Sequence, residues 1–323
     1  MSIIKAGEWK RIIGASILIL FAAAAGASPT GSQYPSRPIT LIVPWGPGGG
    51  ADQMAREVAK LLEQDLKSVS VPVVNAPGAD GNSGMVKLIN GAADGYTLAV
   101  LVADTFYDNV AAKEKAPWKL NAITPLAVMN RQPFAILVAK DSPFKTWADV
   151  ERAAKGRELK IAIDGLGSAE DVLVNYLAAR GLKLNAVPYP KPGERYAAVL
   201  GNHVDLLCDP DGNSRSYLAA GQMRALLVFG NKRVPEIKSA QTAAEVGYKV
   251  TLSEFRAIVV KAGTPEPEVR LLSEALARVY KSAQFQQFLK STWSASDSYV
   301  SRKDVPGYLR TKQREMARLA RGK

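Results

Sequence analysis

Three glycine-rich loops hold the residues whose types and spacing could do chemistry. The first is Pro44-Trp45-Gly46-Pro47-Gly48-Gly49-Gly50-Ala51-Asp52, between an apolar segment and a helical pattern. Consecutive glycines leave backbone N–H groups open, with no Cβ in the way. A helix starting there adds a partial positive charge, and the two together suit a carboxylate or phosphate. No Lys-Ser/Thr follows the glycines, so this is not a phosphate-binding Walker loop, and Gly-x-Gly-x-x-Gly is absent. A tight strand-to-helix turn with Asp52 at or near the N-cap explains the same residues.

Pro77-Gly78-Ala79-Asp80-Gly81-Asn82-Ser83-Gly84 has the same character, though Asp80 weakens it as an anion site. The third loop is Gly165-Leu166-Gly167-Ser168, where Ser168 can cap the next helix or donate to a ligand. Glu170 and Asp171 follow in the first helical turn. They complement the helix dipole, or, if they enter a cleft, they favour a ligand with a cationic group. Asp209 ends a strand before Pro210, and Asp104 and Thr105 end another. Ligands of open parallel sheets sit beyond such strand ends.

No catalytic constellation emerges. Gly-x-Ser-x-Gly is absent. His203 is the single histidine and lies in a turn; Cys208 is the single cysteine and reads as buried apolar filler. An intramolecular disulfide and a Cys-rich metal site are excluded. The acids show no spacing of a glycosidase pair. No catalytic residue, metal or cofactor is expected.

The elements that must position these loops alternate. Residues 39–43, 71–74 and 96–102 read as strands, and residues 51–66 and 85–89 as helices. The first helix has Met54, Ala55, Val58, Leu61 and Leu62 on one face. After a break the alternation resumes. Strands are expected at residues 134–139, 160–163, 186–189, 204–208, 225–229 and 255–260. Helices are expected at 146–154 (with Thr146 as N-cap), 169–180, 194–200, 214–220, 267–281, 283–290 and 305–320. This is an α/β pattern with largely parallel sheet, in two units with a helical tail.

The whole chain has 323 residues, 42 Lys+Arg against 30 Asp+Glu, and a charge of +12. That length predicts two domains. No basic-aromatic stripe or nucleic-acid motif accompanies the charge, so no nucleic-acid partner is expected. Lys5, Lys10 and Arg11 precede a 14-residue apolar run, Ile12 to Ala25, and Ala25-Gly26-Ala27 follows. The run is shorter than the ~18–20 residues that cross a bilayer, so residues 1–27 read as a cleaved signal peptide and the mature chain as exported.

The segments Tyr34-Pro35-Ser36-Arg37-Pro38, Val43 to Asp52, Asn75 to Gly84 and Asp94-Gly95-Tyr96-Thr97-Leu98 resemble the TctC/Bug family. So do Val187-Pro188-Tyr189, Gly201-Asn202-His203-Val204-Asp205, Gly221 to Leu226 and Ala262-Gly263-Thr264-Pro265. These are periplasmic solute-binding proteins of tripartite tricarboxylate transporters. The resemblance implies a two-domain periplasmic-binding-protein clamshell, type II-like, each lobe a mostly parallel sheet flanked by helices. Residues 34–130 plus 255–323 would form lobe 1, and residues 131–254 lobe 2. A small carboxylated ligand would be held by Trp45, Gly46, Gly48, Gly49, Gly50, Ala51, Asp52, Asp104 and Thr105 on one side. Gly165, Gly167, Ser168, Glu170 and Asp209 would face them. Membrane transporter subunits would be the partners of a periplasmic monomer. A ligand sensor and a secreted hydrolase are the alternatives. The chain departs from the family's common pattern at Trp45-Gly46-Pro47, at Ala169-Glu170-Asp171 where many members have Thr-Pro-His, and at Pro190-Lys191-Pro192.

Overall fold

The computed structural model describes residues 34–67, 69–112 and 115–319. The signal-peptide segment lies outside the described residues. Arg37 onward forms one compact unit. Among the described residues no helix is long and apolar enough to cross a membrane.

The first half of the chain alternates as its sequence predicts: β1 (Thr40–Val43), α1 (Gly50–Leu66), β2 (Val73–Asn75), α2 (Asn82–Asn90) and β3 (Thr97–Val102). β1 pairs in parallel with both β2 and β3. α1 buries Met54, Ala55, Val58, Leu61 and Leu62, the face its spacing predicts. Each fully buried Met, Val or Leu among them contributes about 1.5–3 kcal/mol.

The chain then departs from expectation in two places. α3 (Ala103–Ala112) starts at the end of β3, where the sequence suggests only a strand end. Its Phe106 and Tyr107 pack edge-on against Phe255, at centroid distances of 5.6 and 6.0 Å, and so anchor it to the sheet. β4 (Ile123–Ala139) is far longer than the strand expected at residues 134–139. Pro125, Asn130, Arg131, Gln132 and Pro133 hide its first part in the sequence. In the fold those residues pair with β10 (Ser253–Lys261), whose register shifts twice to accommodate them.

The second half comprises α4 (Trp147–Gly156), β5 (Leu159–Ile163), α5 (Ala169–Ala178), β6 (Leu184–Pro188), α6 (Pro192–Leu200) and β7 (Leu206–Pro210). α7 (Arg215–Ala219), β8 (Met223–Val228) and β9 (Gln241–Thr242) follow. Thr146 caps α4 in a capping box with Asp149. β5 pairs in parallel with β6 and β7. The chain closes with β10, α8 (Glu266–Lys281), α9 (Ala283–Ser291) and α10 (Val305–Leu319).

The strand order is β2-β1-β3-β10-β4-β7-β5-β6, with β8 on β4 and β9 on β8. β4 joins the two halves. Its residues 123–133 pair with β10, and from Phe134 it pairs with β7 and β8. At the change of partner three backbone bonds form a ring: Phe134 N donates to Leu252 O, Leu252 N to Phe229 O, and Phe229 N to Phe134 O. β1, β3 and β5 lead directly into the loops or helix starts that carry the candidate residues, and Asp209 lies at the end of β7 itself. That is where parallel sheets place their ligands.

Candidate functional site

The amino ends of α1 and α5 are built alike. Gly48 takes φ +83° and donates its N–H to Asp52 Oδ2 at 2.9 Å. Gly167 takes φ +88° and donates to Asp171 Oδ2 at 2.9 Å. The left-handed turn at each position favours glycine. The N-caps are Gly49 and Ser168, both extended, so Asp52 is the third helical residue rather than the cap. Ser168 caps α5 through its hydroxyl. Gly49 has no side chain, so the first N–H groups of α1, on Gly50 and Ala51, receive no side-chain cap.

Asp52 fixes the first loop from inside. Besides Gly48 it accepts from Arg56 at 2.9 and 3.0 Å and from Asn75 Nδ2 at 2.9 Å. Asn75 also bonds the carbonyl of Trp45. Burial pushes the Asp52 carboxyl up, but the bonds from Arg56, Gly48 and Asn75 hold it below its ordinary value. Both oxygens are engaged, so Asp52 shapes the loop rather than faces a ligand. Asp209, at the end of β7, is engaged too. It accepts from Arg195 at 3.2 Å, Tyr196 OH at 3.1 Å and Ser214 Oγ at 2.6 Å, and is fully buried.

Between these two loops lies a polar sheet face that the sequence reading missed. Glu254 and Arg256 alternate on β10 and pair with Gln132 and Asn130 of β4. Arg256 Nη1 donates to Asn130 Oδ1 at 2.8 Å and to Gln132 Oε1 at 3.0 Å, and Nη2 lies 3.7 Å from Glu254. The two amides are tied in turn to Ser294 and to the carbonyl of Thr292. Arg256 is 4% exposed, and its Nε has no partner. The signal was available: two charges at i and i+2 beside the apolar run at residues 257–260 of one strand.

The first loop closes onto this arginine. A methyl placed on Gly50 would lie 2.8 Å from Arg256 Nη2 and 3.5 Å from Asn213 Oδ1. Arg215 reaches across to Gln53 at 3.4 Å. α3 adds Asp104 and Thr105, each with a shielded oxygen that has no partner. Thr105 Oγ1 sits against Gly81 of the second loop, beside the indole N–H of Trp45, which is also unpartnered. From the other side comes Glu170, 2% exposed, with Oε2 unpartnered. Asp164 bonds Arg195 at 2.7 Å. Gly46, Gly165 and Gly167 have open space where a Cβ would be, on the outer parts of their loops.

Carboxyls therefore crowd one region. Burial pushes Asp104 well above its ordinary value, and Glu254, Asp164 and Asp108 push it further, against Arg256. Burial likewise raises Glu170, helped by Asp104 and Asp164 and opposed by Arg195. Burial raises Glu254 despite Arg256, and Glu170 and Asp164 add to it. Asp108 is pushed up to about 7, by burial first and then by Asp80 and Asp164. Acids raised on folding contribute stability below their unfolded value of about 4, and lose it as pH rises through the folded value. The ligand-free protein is therefore expected to be less stable at about pH 8 than at about pH 5. Asp108→Asn should remove on the order of 2 kcal/mol of that slope. Urea unfolding at the two pH values measures it; a protein more stable at the higher pH would contradict the assignment.

A separate cavity of about 610 Å³ lies beside the β4–β10 crossing, lined by Arg131, Gln132, Phe229, Leu252, Trp293 and their neighbours. It meets the polar network of the site at Gln132 and Ser294.

A family model described as "Tripartite tricarboxylate transporter family receptor" matches residues 52–316. A UPF0065 protein of Agrobacterium vitis is 30% identical over 77% of this chain and 73% of its own. A TctC solute-binding protein from Polaromonas, solved without ligand, is 26% identical with a TM-score of 0.74, over 88% of this chain and 98% of that one. A protein of R. palustris solved with adipate superposes with a TM-score of 0.80 at 24% identity, over 90% and 98% of the two chains.

Proposed function

This chain belongs to the tripartite tricarboxylate transporter receptor family, and from that premise we propose that it captures a small carboxylate-bearing solute outside the cytoplasm and hands it to a transporter of that type. The family and its solved relatives are solute-binding proteins, not enzymes. The observation that carries the carboxylate is Arg256 against Gly50. A buried guanidinium with an unpartnered Nε meets a helix amino end that no side chain caps. Both are donors and both are fixed before a ligand arrives; the guanidinium is shielded from water, and Gly50 is half-buried. Donors of that kind replace the ligand's hydration at little cost in ordering. The adipate complex of the R. palustris relative supports the same class of ligand.

The fold supports hinge closure as the mechanism. We place lobe 1 at residues 34–130 plus 255–323 and lobe 2 at residues 131–254, with β4 and the residues before β10 as the connection. Opening would separate Gln53 from Arg215, an exposed polar contact that breaks easily, and draw Gly50 away from Asn213. A solute bound to both walls would favour the closed form by its differential affinity.

Thermal-shift screening of mono- and dicarboxylates, adipate and succinate among them, tests the reading. At least one should raise Tm. Arg256→Gln should then weaken that carboxylate by about a hundredfold, the usual scale for truncating a buried charged hydrogen bond. Unchanged affinity in the variant, or no response to any carboxylate, would overturn the proposal.

A further inference from the structure

The two helix amino ends share one backbone device but not one charge. The second helical residue is Ala51 in α1 and Glu170 in α5. Glu170 turns inward, 2% exposed, with Oε2 unpartnered, and so cancels the positive end of α5 on its cleft side. Glu254, also 2% exposed, has an unpartnered Oε2, and Asp104 an unpartnered and shielded Oδ1. Burying a carboxylate oxygen without a donor is costly, so each such oxygen needs a proton or a cation.

The two buried arginines beside these acids are partly committed. Arg195 is bonded to Asp164, Asp209 and the carbonyl of Tyr189, and Arg256 spends Nη1 on two amides. Among the described residues no three acidic, His or Cys side chains converge closely enough to hold a metal ion. Thr105, fully buried with a free hydroxyl beside Asp104, adds a neutral acceptor to the same wall.

We propose that the solute carries a cationic nitrogen as well as its carboxylate, as an amino acid does, and that Glu170 and Asp104 close on that nitrogen from opposite walls. The proposal rests on the carboxylate reading and extends it: α1 with Arg256 takes the anionic end, and the α5 side takes the cationic end. The zwitterion satisfies both sets of orphaned groups at once. A simple dicarboxylate offers Glu170 and Asp104 no cation, so both must keep their protons to receive it.

The test is a thermal-shift and calorimetric panel of α- and ω-amino acids at about pH 8, each beside its deamino acid and its decarboxylated amine. At least one amino acid should bind about tenfold or more tightly than its deamino acid. Glu170→Gln and Asp104→Asn should each erase that preference while leaving the ligand-free Tm equal or higher, since each removes like-charge repulsion. If deamino acids bind as well as or better than amino acids, and bind through Arg256, the cationic subsite is refuted and the carboxylate reading stands. If amines bind as tightly as amino acids and Arg256→Gln changes nothing, the cationic subsite stands and the carboxylate reading falls. If nothing in the panel binds, both fall.

Discussion

Arg195→Met is expected to lower the unfolding free energy by about 3–5 kcal/mol at neutral pH. Arg195 is 4% exposed and Asp209 fully buried. The arginine donates to Asp209 at 3.2 Å, to Asp164 at 2.7 Å and to the carbonyl of Tyr189 at 2.9 Å. Methionine fills the aliphatic volume but leaves the Asp209 carboxylate without a counter-charge. Asp164 stays partly in water and tolerates the loss. Burial already raises Asp209, while Arg195, Ser214 and Tyr196 hold it down. Without the arginine the carboxyl keeps a proton to higher pH. A raised acid loses stability as pH rises, so the deficit should be smaller at about pH 5 than at about pH 8. Arg195→Met combined with Asp209→Leu should recover part of the loss, because an apolar pair needs no counter-charge while Tyr196 and Ser214 lose the acceptor they share. Urea melts of the three variants at both pH values measure this. A single variant that unfolds like the parent, or a double variant worse than either, would show that the pair is not what holds α6 against β7.

The loops and the alternation were legible in the sequence because they rest on local rules. The glycines at Gly48 and Gly167 mark left-handed turns, the apolar spacing of α1 marks its buried face, and Thr146 with Asp149 marks a helix start. What was not legible depends on partners distant in the chain. Residues 123–133 look like a broken loop until β10 is laid beside them, more than a hundred residues later. Arg256 reads as a stray charge until Asn130, Gln132 and Gly50 surround it. The acids are the instructive case. Asp52, Asp104, Glu170, Asp171 and Asp209 are alike as letters beside strand ends and helix starts. Asp52, Asp171 and Asp209 accept bonds inside the protein, and Asp104 and Glu170 keep orphaned oxygens toward the site. A pair at the same helical position in matched loops, Asp52 and Asp171, serves the backbone. The residue one place earlier sets the charge of each wall, and there the sequence has Ala51 on one side and Glu170 on the other.

Gly84→Ala pits helix propensity against packing, and packing is expected to win in both stability and binding. Gly84 lies in the first turn of α2, where alanine alone would stabilise a helix by roughly 0.5–1 kcal/mol. Its Cβ, however, would lie 2.6 Å from Pro44 Cβ, 2.7 Å from Pro44 Cα and 3.1 Å from the carbonyl of Ala76. Carbon atoms rest at about 3.5–4.0 Å, so α2 and Pro44 must separate by roughly 1 Å. Neither neighbour is the end of a flexible side chain; both belong to backbone held by β1 and β2. Overpacking of this kind costs about 1–3 kcal/mol or more, which outweighs the propensity gain. Pro44 is also the first residue of the loop that carries Trp45 and the α1 amino end, so the displacement reaches the seat proposed for the carboxylate. Affinity for a bound carboxylate should fall by about tenfold or more, as expected when a pre-formed donor set is moved off its position. Gly193→Ala is the matched control, since nothing lies within 4 Å of the Cβ it would add. That variant should keep or raise Tm and leave binding unchanged. If Gly84→Ala behaved like Gly193→Ala in both measurements, the contact between α2 and Pro44 would not be what sets the first loop in place.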